Sequence, residues 1–250
     1  MLCVPRWNSF GKPTIDESMV KPRSSLFLIK KTSCVLTIVI VLFVLAGIVS
    51  QYHTYFPPDF QAPGFLKGRQ AFFAGAYRIA FYSHVICGPF AILIGMYLYR
   101  TGTRGIRLGI HRALGKVQFL LIAIVLVPSG LVMATRAHTG VLAGAGFAFL
   151  SVFTMVSAIQ AVAHIRQRDL IQHRRWASRM VILLLSPILL RILSMVFLGL
   201  GVDSHGTYQF SAWASWLFPL VIFEAWNRWQ LDDVDRISSN DLEDLYEAVE

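Results

Sequence analysis

Acidic residues are almost missing from the long apolar stretches of this chain. Of its 14 Asp and Glu, Glu224 alone falls inside one. Charged residues make up 15% of the sequence, against about 25% in soluble domains. Cysteine is also scarce: Cys3 lies in a basic segment, and Cys34 and Cys87 lie in apolar blocks. That distribution excludes a disulfide framework. The chain has no HExxH, GxSxG or CxxC, which removes the usual signatures of zinc hydrolases, serine hydrolases and dithiol redox proteins. Internal repeats and low-complexity tracts are absent too. Between the apolar blocks no segment is long enough for a separate soluble domain.

What is present is hydrophobic surface in excess. Apolar residues reach 55% and mean hydropathy is +0.57, as for chains dissolved in lipid. A helix needs about 20 apolar residues to cross the hydrocarbon core. Six stretches meet this: about 33–50, 79–99, 117–135, 139–163, 177–202 and 210–226. The expected fold is an all-α polytopic bundle of six membrane helices. Residues 1–32 form a basic segment, 33–228 the membrane domain and 229–250 an acidic tail. The basic start is too long for a signal peptide and no small-residue cleavage site follows it, so the first helix is read as retained.

The net charge of +9 does not indicate nucleic acid. The cations cluster at the ends of apolar blocks, the pattern of membrane topology signals. With the N-terminus inside, eighteen Lys and Arg fall on inner segments and four (Lys67, Arg69, Arg78, Arg136) on outer ones. This bias places both termini in the cytoplasm of a multi-pass cell-membrane protein. Trp176, Trp226 and Trp229 then fall at the inner interface and Trp213 near the outer one. The outer segment 51–78 carries eight Phe and Tyr and is expected to lie along the interface. In the tail, Asn240 and Glu243 have capping-box-like spacing, and Leu242, Leu245, Tyr246 and Val249 repeat at helical spacing. Two readings stand for it: a solvated tail, or a short helix that docks on a cytoplasmic partner or on the basic inner loops.

Candidate chemistry rests on histidine and arginine. His53, His84, His138 and His205 map to the outer half, and His111, His164 and His173 to the inner side. His84 lies within a span, roughly 7 Å below its outer end at helical rise. An intramembrane histidine points to function by default, and a neutral imidazole bonded to a neighbouring helix is the plain alternative. Gly88, Ala91 and Gly95 share its face and admit either a close helix or a macrocycle. Gly140, Gly144, Ala148 and Ser151 form a similar stripe. Arg191 lies about 21 Å up the fifth span, near the depth of His84 and far from Glu224. Its partner is a carbonyl, a water, or the acidic group of a cofactor or lipid. Two inner clusters, His111-Arg112 with Gly115-Lys116 and His173-Arg174-Arg175-Trp176 with Arg179, offer forked donors for phosphate or carboxylate. They equally suit anionic headgroups of membrane lipids.

His84 with Gly88-Pro89-Phe90-Ala91, His111-Arg112 with Gly115, Gly146-Phe147, His173-Arg174-Arg175-Trp176, Arg179 and Arg191 together resemble an uncharacterised bacterial family of predicted membrane proteins, the domain of unknown function numbered 2306. The resemblance covers roughly 72–198. Lys116 and Ala177 depart from its pattern, which expects Arg and Met there. The family implies a multi-helix bundle and supplies no activity. A looser similarity is to di-haem cytochromes of the b-561 kind, which take one histidine from each of four consecutive helices. That similarity implies haem b between His84 and His138 on the outer side and between His111 and His173 on the inner side. It also implies Arg136 outside and Arg112, Arg174 and Arg175 inside as propionate partners. Transmembrane electron transfer is therefore the leading expectation. A membrane scaffold or lipid-binding protein, and a small transporter using His84 and Arg191, are its rivals.

Overall fold

The computed structural model describes residues 23–62, 64–101, 108–202 and 204–247. The basic segment before residue 23, with Cys3, and the connection carrying Arg104 and Arg107 lie outside the described residues. Among the described residues the structure is all-helical, with no strand. It forms two compact units, 1–51 and 52–250. The first contains α1 (Arg23–Ser50).

The second unit holds α2 (Gly75–Thr101), α3 (Leu108–Leu120), α4 (Val127–Ala134), α5 (Val141–Arg166), α6 (Leu170–Leu184), α7 (Ser186–Gly199) and α8 (His205–Glu247). A π-helical turn, Leu121–Leu126, joins α3 to α4, so 108–134 runs as one span. Among the described residues four helical segments are long and apolar enough to cross a membrane: 35–54, 75–101, 108–134 and 141–166. The α6–α7 pair, bent by 41°, makes a fifth if counted as one span. The bend falls at Leu185, just before Pro187. Proline has no N–H to give Leu183, and its ring crowds the carbonyl four residues back.

Three boundaries differ from the sequence reading. α3 starts nine residues before Val117, because its first turns are amphipathic and carry His111, Arg112 and Lys116. α8 is the longest helix among the described residues, and Ser211, Ser215 and Glu224 interrupt its 210–226 stretch. It also continues unbroken through Asn240 to Glu247, so Asn240 does not cap a new helix.

Helix packing accounts for much of the small-residue pattern. A Cβ on Gly144 would stand 2.5 Å from the Ala134 carbonyl oxygen, so only glycine lets α5 approach the end of α4 this closely. Gly140 begins α5 at φ +88°, a conformation other residues adopt at a cost. Ala91 is fully buried and packs with Ile122, Ala158, Met180 and Val181 from three other elements. Pro89 inside α2 cannot donate to Val85, and the freed Val85 carbonyl accepts from the Tyr52 hydroxyl instead. A membrane helix tolerates proline where a neighbour satisfies the released carbonyl in this way.

Candidate functional site

The second unit has two unlike ends. α2 and α5 begin, and α4 and α7 finish, at the end capped by the 52–74 segment; α3 and α6 begin at the other. The first is aromatic and the second basic.

At the basic end, His111 and His173 are each the fourth residue of their helix. Asp169 starts α6 by accepting from the Gln172 N–H at 3.0 Å. That cap turns His173 toward α5, where its Nδ1 lies 2.8 Å from the Ala161 carbonyl oxygen. A carbonyl only accepts, so Nδ1 carries the proton and Nε2 keeps its lone pair. His111 comes close enough to His173 for the two charges to interact. Its Nδ1 is buried without a hydrogen-bond partner. Arg112 and Arg174 are exposed beside them and Arg175 is partly buried. Arg179 is committed elsewhere. Its Nε donates to Glu224 Oε1 at 2.5 Å and its Nη2 to Oε2 at 2.8 Å, and its guanidinium stacks on Trp176 at 4.3 Å. A cleft of about 210 Å³ lies against this pair, lined in part by Phe153, Leu183 and Leu220.

Between the ends, His84 of α2 meets Ser129 of α4, Nδ1 to Oγ at 2.9 Å. Ser129 Oγ also lies 2.6 Å from the Val125 carbonyl. The single hydroxyl proton goes to that carbonyl, so Oγ accepts from His84 Nδ1–H. That tautomer leaves His84 Nε2 unprotonated. Its Cε1 would be 3.6 Å from a Cβ on Gly130, so the ring fills the space that glycine leaves.

The aromatic end holds more than the sequence reading found there. Segment 52–74 folds over the start of α2 around Phe81, which is 1% exposed. Phe65 stacks on Phe81 at 5.4 Å, and Tyr55 and Phe73 meet it edge-on at 5.1 and 5.3 Å. The loop has its own core. Inside it Arg69 is only 5% exposed. Its Nη1 donates to the Tyr77 hydroxyl at 2.8 Å and to the Arg136 carbonyl at 2.9 Å, and its guanidinium lies 4.0 Å from the Phe65 ring centre. Arg136 faces Phe72. Arg191 donates to the Tyr55 hydroxyl, so its partner among the described residues is a phenol. Burial pushes the Tyr55 phenol above its ordinary value, against the opposing pull of Arg191 and Arg69.

His138 lies in the turn before α5, exposed, with His205 at 6.2 Å and Tyr208 at 5.8 Å between ring centres. Its ring neighbours are on α8, while His84 is held by α4. Ala134 is already about 7 Å along the axis from Ser129 at helical rise, and His138 lies beyond it. The structure thus places His111 and His173 at one end, within range of each other's charge, and gives His84 and His138 separate partners. Among the described residues no three of His, Cys, Asp or Glu converge as a metal site. Sequence reasoning missed Arg69, Tyr55, Tyr77, Tyr208 and Ser129. An arginine inside so aromatic a loop was the available signal, since guanidinium groups stack on aromatic faces.

The model of one family, described as a predicted membrane protein family (DUF2306), matches residues 81–227. Comparisons with curated proteins and with solved structures give no match.

Proposed function

The chain belongs to the DUF2306 family of predicted membrane proteins, and from that premise we propose that it is a membrane redox protein holding haem b between His111 and His173 at its basic end. The observation that carries this reading is the paired imidazoles. They come from separate helices, and His173 donates Nδ1–H to the Ala161 carbonyl. Haem- and metal-ligating histidines commonly use that second nitrogen in this way, which orients the ring and leaves Nε2 for iron. The buried, unpartnered His111 Nδ1 is the kind of orphan atom a bound group would satisfy. Arg112, Arg174 and Arg175 stand beside the pair as partners for propionates. Haem bound there would supply one-electron transfer. His84, with its Nε2 also unprotonated, is the candidate ligand for a second haem. His138 would have to exchange its α8 neighbours to pair with it.

The test is an absorption spectrum of the full chain, purified in detergent from haem-replete cells. A Soret band with sharp low-spin bands on reduction is expected, and His111→Ala or His173→Ala should abolish it. A colourless but folded protein would end this reading. The proposal includes six spans with both termini cytoplasmic, supported by the Lys and Arg bias. Reporter fusions after Gln61 should read external and those after Asp169 cytoplasmic; a cytoplasmic Gln61 fusion would reverse the map.

A second reading is lipid binding without catalysis. The guanidinium groups at the aromatic end favour it.

A further inference from the structure

Three guanidinium groups lie at the aromatic end, and among the described residues no ion pair joins any of them to a carboxylate. Arg69 and Arg136 both face the Phe72 ring, at 5.9 and 5.5 Å from its centre. Arg69 is hydrogen-bonded to Tyr77, Arg191 reaches the Tyr55 hydroxyl, and Tyr208 meets His138 in the turn that carries Arg136. The six side chains thus form one network across the 52–74 segment, α2, the turn after α4, α7 and α8. Its described neutral partners are phenols, rings and one backbone carbonyl.

The carboxylates whose side chains are described are committed elsewhere. Asp59 accepts from the N–H groups of Gln61 and Ala62 in its own loop. Asp169 caps α6 and faces His164. Glu224 is bound by Arg179. Phenols relieve the hydrogen-bonding demand of a guanidinium but do not offset its charge, and Arg69, the buried one of the three, is costly to hold without an anion.

We propose that Arg69, Arg136 and Arg191, with the hydroxyls of Tyr55, Tyr77 and Tyr208, form a binding site for a phosphate group. Guanidinium forks match phosphate oxygens bidentately. Phosphate also offers more oxygens and more charge than a carboxylate to three cations. The surrounding rings suit a ligand whose phosphate is attached to an apolar body. The phosphate belongs either to a lipid headgroup or to free phosphate. This site is independent of the haem reading, since none of its six residues belongs to the His111/His173 pair.

Native mass spectrometry of the full chain in detergent tests it, with short-chain phosphatidic acid and inorganic phosphate as separate probes. Binding of either probe, weakened at least tenfold by Arg191→Gln and by Arg136→Gln but unchanged by Arg166→Gln at the basic end, supports the site. Retention of phosphatidic acid alone assigns it to a headgroup, and retention of inorganic phosphate assigns it to the free ion. Arg136 is exposed, so Arg136→Gln carries the test if Arg191→Gln does not fold. Failure of both probes, or equal binding by the native chain and Arg136→Gln, overturns the proposal. Equal loss in Arg166→Gln does the same, because it marks nonspecific charge.

Discussion

The two ends of the 52–250 unit both concentrate arginine, yet they treat it in opposite ways. At the aromatic end Arg69 is buried, ringed by Phe65 and Phe72, and bonded to a phenol and a carbonyl. At the basic end Arg112, Arg166 and Arg174 are exposed. There Arg179 is paired, bound bidentately by Glu224. The contrast separates two jobs. Exposed cations at a membrane surface act through the field they create, which orients the chain and attracts anionic headgroups. A buried cation acts through its contacts and fixes the geometry around it. Density of arginine in a sequence therefore says little until burial is known.

The sharpest way to break this comparison is to remove one arginine from each end. Arg69→Ala strands the buried Tyr77 hydroxyl and removes a contact to the Arg136 carbonyl. Each unsatisfied buried group costs about 1–3 kcal/mol, so a loss of roughly 3 kcal/mol is expected, with a clear fall in Tm. Arg179→Gln removes a bidentate pair whose Glu224 side chain is 37% exposed. Solvent screens such a pair, and about 1 kcal/mol or less is expected. Thermal unfolding of both variants in the same detergent checks the order. If Arg179→Gln costs more than Arg69→Ala, burial is not what distinguishes the ends.

Much of the aromatic end was illegible in the sequence for a physical reason. Arg69 reads there as a loop charge, because its partner Arg136 stands 67 residues away and Tyr77 lies beyond Phe72, Phe73 and Gly75. Hydropathy registers the composition of 52–74 but not its inward packing around Phe81. Arg191, by contrast, was conspicuous as a lone cation inside an apolar run. Its partner was not, since tyrosine at that spacing carries no charge to signal it. The start of α3 was hidden because its first turns are polar on one face; that placed His111 outside the helix in the sequence reading. Pro187 was visible, but proline both kinks helices and begins them, and only the tertiary structure shows α7 starting afresh at Ser186. The basic clusters at 111–116 and 173–179 were legible as local runs. The α5 backbone carbonyl that holds His173, at Ala161, was not.

The smallest expected effect concerns the acid of the aromatic end. Asp59 is fully exposed, and the Gln61 and Ala62 N–H groups hold its carboxyl below the ordinary value. A carboxyl whose folded pKa is depressed adds stability that is present above the unfolded value and is lost as pH falls through the folded one. The window is therefore acidic, from about pH 4 downward. Asp59→Asn keeps an acceptor oxygen for the loop N–H groups but cannot titrate. The native chain should show a slightly steeper fall in Tm than Asp59→Asn as pH is lowered through this window, and the two should run parallel near neutrality. Because the group is exposed, its loss should leave the Arg69 network intact. If Asp59→Asn instead lowered Tm as much as Arg69→Ala at neutral pH, Asp59 would be a counter-ion for that network. The aromatic end would then need no external anion.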